Sequence, residues 1–269
     1  MAFQDINYEV VDGTASIVIS RPEVLNAMRF ETIVELRTAL LQAADDPTVG
    51  VVVISGVGGK AFSAGGDQKE LVANMNPQTW RPVARAFLEL FGSIRSCPVP
   101  VVAAVQGWAI GGGNELHTYC DLTLATESST FGQVGAKVGS LPLYVTQILP
   151  RTVGDKRAKE ILFLCNRYTA HEAQELGLVN FVVPDADFEA EVKALCESIL
   201  DKSPTALRFL KMGVNHGQAL DEQHVEFLVE LAATYFGSDE QREGHLAYQE
   251  KRDPNFRKFR QALDAAVDH

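Results

Sequence analysis

Two glycine-rich stretches each follow a short apolar run. They are Lys60-Ala-Phe-Ser-Ala-Gly-Gly-Asp-Gln68 after GVVVISG (50–56), and Gly107-Trp-Ala-Ile-Gly-Gly-Gly-Asn-Glu-Leu116 after PVVAAV (100–105). Glycine lets a backbone approach a ligand closely. Amide N–H groups at a strand-to-helix turn face developing negative charge, helped by the helix dipole. Two such loops can each give one N–H to a single oxygen, forming an oxyanion hole. The alternative is that the glycines only make turns or tight helix packing. Glu115 lies near the start of the helix that follows the second stretch, inside an otherwise apolar unit. Partial desolvation there raises a carboxyl pKa toward the range useful for proton transfer. The alternative is a first-turn glutamate that merely favours the dipole. Neither stretch matches GxxxxGK[ST] or GxGxxG, so phosphate-loop and dinucleotide sites lack support.

The elements that must position these residues can be read from periodicity. NYEVVDGTASIVIS predicts two strands around an Asp12-Gly13 turn, and Arg21-Pro22 ends the second. Residues 30–44 have a helical period, with Phe30, Ile33, Val34, Leu36, Leu40 and Leu41 as an apolar stripe. The run 50–56 is continuously apolar, as in a strand covered on both faces. A loop from Gly56 to Gly66, a helix over 79–95, a strand over 100–105 and a strand in DLTLAT (121–126) follow. This order predicts an α/β spiral of ββα units rather than a doubly wound sheet. From about 143 the pattern is mostly helical. Thr169-Ala-His-Glu172 and Ser238-x-x-Gln241 are capping boxes, Gly177 ends a short helix, LVNFVVP (178–184) is a last strand, and Ser203-Pro204 opens another helix. These divide the chain into a core over 1–200 and a helical segment over 201–269, with no linker, repeat or low-complexity stretch.

The 269 residues carry a net charge of −11, which argues against a nucleic-acid binder. It leaves room for a small anionic ligand held by local cations. One basic cluster is present: Lys251, Arg252, Arg257, Lys258 and Arg260. Cys97, Cys120, Cys165 and Cys196 show no CxxC spacing and read as buried free thiols. The six histidines form no HxH or HxxxH pair, so no metal site is expected. The first residues do not form a signal peptide and no apolar run is long enough to span a membrane, which together predict a cytoplasmic protein.

Four stretches, in this order, together resemble the crotonase (enoyl-CoA hydratase/isomerase) superfamily: AFSAGGDQ, PVVAAVQGWAIGGGNELHTYCDLTLATESSTFGQVGAKVG, RTVGDKRAKEILFLCNRYTAHEAQELGLVNFVVP and REGHLAYQEKRDPNF. The wording AFSAGGDQ, FGQVGAKVGS and FLCNRY is most similar to dihydroxynaphthoyl-CoA synthases and 2-ketocyclohexanecarboxyl-CoA hydrolases. The resemblance implies the crotonase-like ββα spiral, a CoA thioester substrate and an enolate-type intermediate. It makes Gly66 and Gly112 the oxyanion N–H donors and Glu115 the first catalytic glutamate. The adenine of CoA would lie along the backbone around Ala64, Asp67 and Gln68. Arg21 and Val24 would line the mouth of the CoA site, Val24 where relatives often carry a cation, with Lys251 of the basic cluster available to phosphates.

The chain departs from hydratases at Gly135, where they carry a second glutamate. In many dihydroxynaphthoyl-CoA synthases a glycine there leaves room for bicarbonate held by a Gln, matched here by Gln133. The resemblance therefore implies bicarbonate at Gly135/Gln133 and no tightly bound cofactor. Those synthases have Ser-Phe-Asp where this chain has Ser140-Leu141-Pro142, closer to the Thr-Ile-Pro of hydratases. Their C-terminal tyrosine aligns with Phe236, beside Tyr235. Tyr144 is either a proton donor near the acyl group or a pocket wall, and His117 is structural. The implied activity is hydration or isomerisation of an enoyl-CoA. The rivals are hydrolytic ring cleavage of a cyclic β-keto acyl-CoA and a non-catalytic acyl-CoA-binding paralogue. The resemblance also implies a homotrimer or dimer of trimers, the segment 204–250 covering a neighbour's site or folding back on its own core.

Overall fold

The computed structural model describes residues 3–73, 76–217, 229–230, 233–256 and 259. Strands β1 (Ile6–Val11) and β2 (Thr14–Ile19) form the hairpin expected around Asp12-Gly13. Both turn residues have positive φ, 49° and 82°, as a two-residue turn matching the strand twist demands. Helix α1 (Phe30–Asp45) buries Ile33, Leu36 and Leu40, but Phe30, Val34 and Leu41 are each more than a third exposed, so the apolar stripe is wider than the face it covers.

Strand–strand–helix turns then repeat. The first holds β3 (Val51–Gly56), β4 (Ala61–Ser63), α2 (Gln68–Ala73) and α3 (Pro77–Ser96). The next holds β5 (Val101–Val105), β6 (Trp108–Ile110) and α4 (Gly112–Tyr119). It is followed by β7 (Leu122–Thr126), β8 (Thr130–Gly132) and α5 (Gly135–Val138). The C-terminal part adds α6 (Val145–Val153), α7 (Asp155–Leu164), β9 (Arg167–Thr169), α8 (Ala170–Glu175), β10 (Phe181–Val183), α9 (Phe188–Leu200), α10 (Pro204–Gly217) and α11 (Asp239–Gln249). Among the described residues the first strand of each turn joins a six-stranded sheet ordered β1-β2-β3-β5-β7-β10, and the second joins a four-stranded sheet ordered β4-β6-β8-β9. Apart from the β1–β2 and β8–β9 pairs, neighbours run parallel. This is the expected ββα spiral.

The continuously apolar strands are covered on both faces. Val52, Ile54, Val101, Ala103 and Val105 belong to the main core with α1, α3 and α4. Val51, Val53, Val102 and Ala104 belong to a second cluster with Phe188, Cys196 and Ile199 of α9. Thr169 and Glu172 make both capping-box bonds. At the other candidate box the Gln241 N–H donates to Ser238 Oγ (3.2 Å), but Gln241 Oε1 accepts from Gly237 N rather than from the cap residue. All four cysteines are free thiols. Among the described residues no helix is long and apolar enough to cross a membrane.

Candidate active site

The two glycine-rich stretches meet. A methyl group placed on Gly65 would stand 2.8 Å from Ile110 O and 3.0 Å from Gly112 N, and φ at Gly65 is +97°, so glycine is required there on both counts. Gly112 is the first residue of α4, where a helix N–H has no partner within its own helix. Neither the Gly112 nor the Gly66 N–H makes a backbone hydrogen bond among the described residues. Their neighbours are engaged: Met28 N donates to Gly65 O and Asp67 N to Met28 O, which fixes the loop around Gly66. Two free N–H groups on touching loops are what an oxyanion hole requires.

Glu115 sits one turn into α4. The helix is held against β4 by Gly113, whose missing side chain would come within 2.2 Å of Ser63 O. Fully buried Leu116 anchors it in the core. The Glu115 N–H donates to Gly111 O, while its carboxyl group has no hydrogen-bond partner among the described residues. Burial pushes that carboxyl group up from its ordinary 4.5 to about 8, because desolvation disfavours the charged form. His117 faces elsewhere, its ring nitrogens 3.3 Å from Thr123 Oγ1 and 3.2 Å from Asn114 Oδ1. Burial lowers it to about 3, so it is a neutral core residue, as expected.

Glu115, Gly66 and Gly112 line a cavity of about 80 Å³, walled by Trp80, Phe87, Leu141, Pro142 and Tyr144. Ala64, Gln68, Val134 and Val138 join it to a wider groove of about 460 Å³ that includes Val24, Asp67, Trp108 and the exposed cations Lys69, Lys137 and Arg167. Arg167 lies 5.0 Å over the Trp108 ring. These three cations make no ion pair among the described residues.

Several expected site residues take other roles. Arg21 is not a mouth cation: it is nearly buried, its guanidinium bonded to Asp67 Oδ2 (2.9 Å) and Ala27 O (2.5 Å), with Asp5 at 3.6 Å. It pins the strand end to the loop that carries Gly66. The Tyr144 hydroxyl donates to Ala84 O (2.8 Å), so Tyr144 is a wall whose proton is already engaged. Phe236 lines neither cavity; it stacks on Trp80 with ring centroids 3.9 Å apart. Lys251 is exposed and lines neither cavity, and Arg257, Lys258 and Arg260 lie outside the described residues.

Gly135 and Gln133 both line the cavity, but a side chain at Gly135 would have no room. A Cβ on Gly135 would meet Pro142 Cδ at 2.7 Å and Ser140 O at 2.8 Å, so the space a second glutamate would use is closed by Pro142. The Gln133 amide nitrogen donates to Gly111 O (3.1 Å), leaving its carbonyl oxygen as the buried atom without a partner. Exchanging the two would set oxygen against oxygen at Gly111. The Gln133 carbonyl oxygen can pair only with a donor such as an O–H or N–H. Among the described residues no cluster of His, Cys, Asp and Glu could hold a metal ion.

Sequence reasoning did not single out Trp80, Phe87, Lys69, Lys137 or Arg167. Trp80 and Phe87 stand seven apart on α3, a spacing that shares one helix face. The three cations come from separate elements and become neighbours only in the fold.

The ββα spiral sets two unpaired backbone N–H groups and a desolvated carboxyl group on one cavity, an arrangement with the means to stabilise an oxyanion and move a proton. The sequence profile of the enoyl-CoA hydratase/isomerase family matches residues 9–260, and the chain belongs to that family, within the crotonase superfamily. It is similar to an enoyl-CoA hydratase from Mycobacterium avium subsp. paratuberculosis (30% identity, 95% of this chain and 99% of that one, TM-score 0.83). It is also similar to an enoyl-CoA hydratase from Bacillus anthracis (33%, 94% and 99%, 0.77) and a probable enoyl-CoA hydratase from Mycobacterium thermoresistibile (36%, 86% and 94%, 0.72).

Proposed function

We propose that this protein is an enzyme acting on acyl-CoA thioesters, in which one carboxyl group moves a proton at a thioester enolate. The thioester oxygen lies between the N–H groups of Gly66 and Gly112. Negative charge that develops on it is met by donors already in place, each worth roughly 3–4 kcal/mol to the transition state. Glu115 removes a proton from the acyl carbon next to the thioester carbonyl and returns it elsewhere on the acyl chain. A carboxyl group near pKa 8 keeps a minor ionised form near neutrality for the removal and is a strong enough base to hold the proton until its return. The wider groove receives the nucleotide end, with Lys69, Lys137 and Arg167 facing the phosphates. Its neutral N–H donors and few local cations reconcile an acidic chain with a polyanionic ligand.

The observation that favours proton transfer over water addition is the closed space at Gly135. Hydration by two carboxylates needs a second side chain, and Pro142 occupies its place. The exposed Phe209, Leu210, Met212 and Val214 of α10 support a homotrimer or dimer of trimers in which that face is covered by another copy. Ultraviolet absorbance at the conjugated enoyl thioester tests the reaction. A 3-enoyl-CoA should gain absorbance as the double bond moves into conjugation, and crotonyl-CoA should lose little. Rapid loss with crotonyl-CoA would establish hydration. Consumption of a cyclic β-keto acyl-CoA alone would establish ring cleavage. Binding without any turnover would leave a non-catalytic CoA protein.

A further inference from the structure

Two side chains that line the acyl cavity, Trp80 and Gln133, each carry a buried polar atom with no partner among the described residues, and neither belongs to the proton-transfer machinery. Trp80 lines the cavity from α3 and is only 5% exposed. One face of its ring is covered by Phe236 at 3.9 Å. Its indole Nε1–H is buried and has no acceptor among the described residues. Gln133, fully buried in the same cavity, keeps an unpartnered Oε1 because its amide nitrogen is committed to Gly111 O. Buried polar groups are nearly always paired, and each exception calls for a reason. Another large wall residue shows that pairing was available here: the Tyr144 hydroxyl donates to Ala84 O (2.8 Å). An aromatic wall that only needed to be apolar would be served by phenylalanine, as at Phe87.

We propose that the acyl group of the substrate carries an oxygen of its own, beyond the thioester carbonyl, and that Trp80 selects for it by donating the indole N–H to that oxygen. A hydroxyl in this place would also have a proton to give, and the Gln133 carbonyl is an acceptor for it in the same cavity. Trp80 is then a specificity-determining residue that touches substrate, and Phe236 is a positioning residue that fixes the plane of its ring. This assignment rests on the acyl-CoA reading of the site.

The test uses the full-length protein carrying Glu115→Gln, so that ligands bind without turning over. Isothermal calorimetry compares butyryl-CoA with 3-hydroxybutyryl-CoA and 4-hydroxybutyryl-CoA, chains of one length that differ in the added oxygen. One hydroxylated ligand should bind about tenfold more tightly than butyryl-CoA, the worth of one hydrogen bond made to a donor that is otherwise unpaired. Trp80→Phe, added to that background, should bring the affinities together by weakening only the hydroxylated ligand. Equal affinities before Trp80 is changed would overturn the proposal and show that water or nothing satisfies the indole. Discrimination that survives Trp80→Phe would overturn it by placing the selective contact on another residue. If none of the three ligands binds, the acyl-CoA reading itself fails. The comparison among ligands needs no change at Trp80, so a poorly folded Trp80→Phe protein does not shelter the proposal.

Discussion

At the scale of single residues, the chemistry rests on what burial does to Glu115. Its carboxyl group has no hydrogen-bond partner among the described residues and is pushed from 4.5 to about 8 by desolvation. The folded protein therefore binds this proton more tightly than the unfolded chain does. The stabilisation is complete below pH 4.5 and is lost as pH rises toward about 8. Glu115→Gln removes that loss. Urea unfolding of parent and variant should give similar stabilities near pH 4.5 and a clear advantage for the variant at pH 8; parallel curves across this range would show that the group is not desolvated. The candidates Glu115, Gly66 and Gly112 come from two short glycine-rich motifs through their resemblance to the family, and the fold brings them to one cavity. The fate of Arg21 was not legible in the sequence: a strand-end arginine looks solvated until the fold brings Asp67 and Asp5 to it. Phe236 matched the aligned tyrosine in place, but its ring faces Trp80 rather than the acyl cavity, a matter of packing that no local pattern encodes.

At the scale of elements, the site is a junction of two loops and a short helix. The long apolar strands and the helices at 30–45 and 77–96 were readable from their periodicity, but β4, β6, β8 and β9 were not. Each has three residues, too few to show an alternation. They exist because the second sheet pairs them, and that sheet sets the Gly66 loop against α4. The turn from α5 to Pro142 closes the space at Gly135. Installing a second carboxylate with Gly135→Glu should therefore strain this turn, lower the melting temperature and leave crotonyl-CoA hydration no faster. A gain of tenfold or more in hydration would show that the turn yields and that only the missing carboxylate separates this chain from a hydratase.

At the scale of the whole molecule, the C-terminal helices are tied to the spiral at a few points. Lys211 of α10 reaches across to Asp121 Oδ2 (2.6 Å) and to the carbonyl oxygens of Ile94 and Val99 (both 3.0 Å). The same carboxylate oxygen accepts from Val101 N (2.7 Å). Lys211 is 8% exposed at its side chain and Asp121 23%, so Lys211→Ala leaves a largely buried charge without its cation. The expected cost is about 3 kcal/mol of unfolding free energy in urea denaturation, whereas a surface pair would cost under about 1 kcal/mol. A second tie brings α11 to the site: His245 Nδ1 lies 3.2 Å from Gln68 Oε1, and Gln68 lines both the acyl cavity and the wider groove. The net charge of −11 argues against nucleic acid as a partner on composition alone, but the cations proposed to meet the phosphates, Lys69, Lys137 and Arg167, line one groove only in the folded chain.

Glu115 is proposed to move a proton at a thioester enolate held by Gly66 and Gly112. Solvent exchange at the acyl chain reads that step without requiring net turnover. In D₂O, proton NMR of a 3-enoyl-CoA incubated with the enzyme should show loss of the signal from the carbon next to the thioester carbonyl. Glu115→Gln should slow this by about 10²–10⁴-fold, the usual worth of a general base. Neither exchange nor migration of the double bond with the parent enzyme, or equal rates in the two proteins, would contradict this role for Glu115.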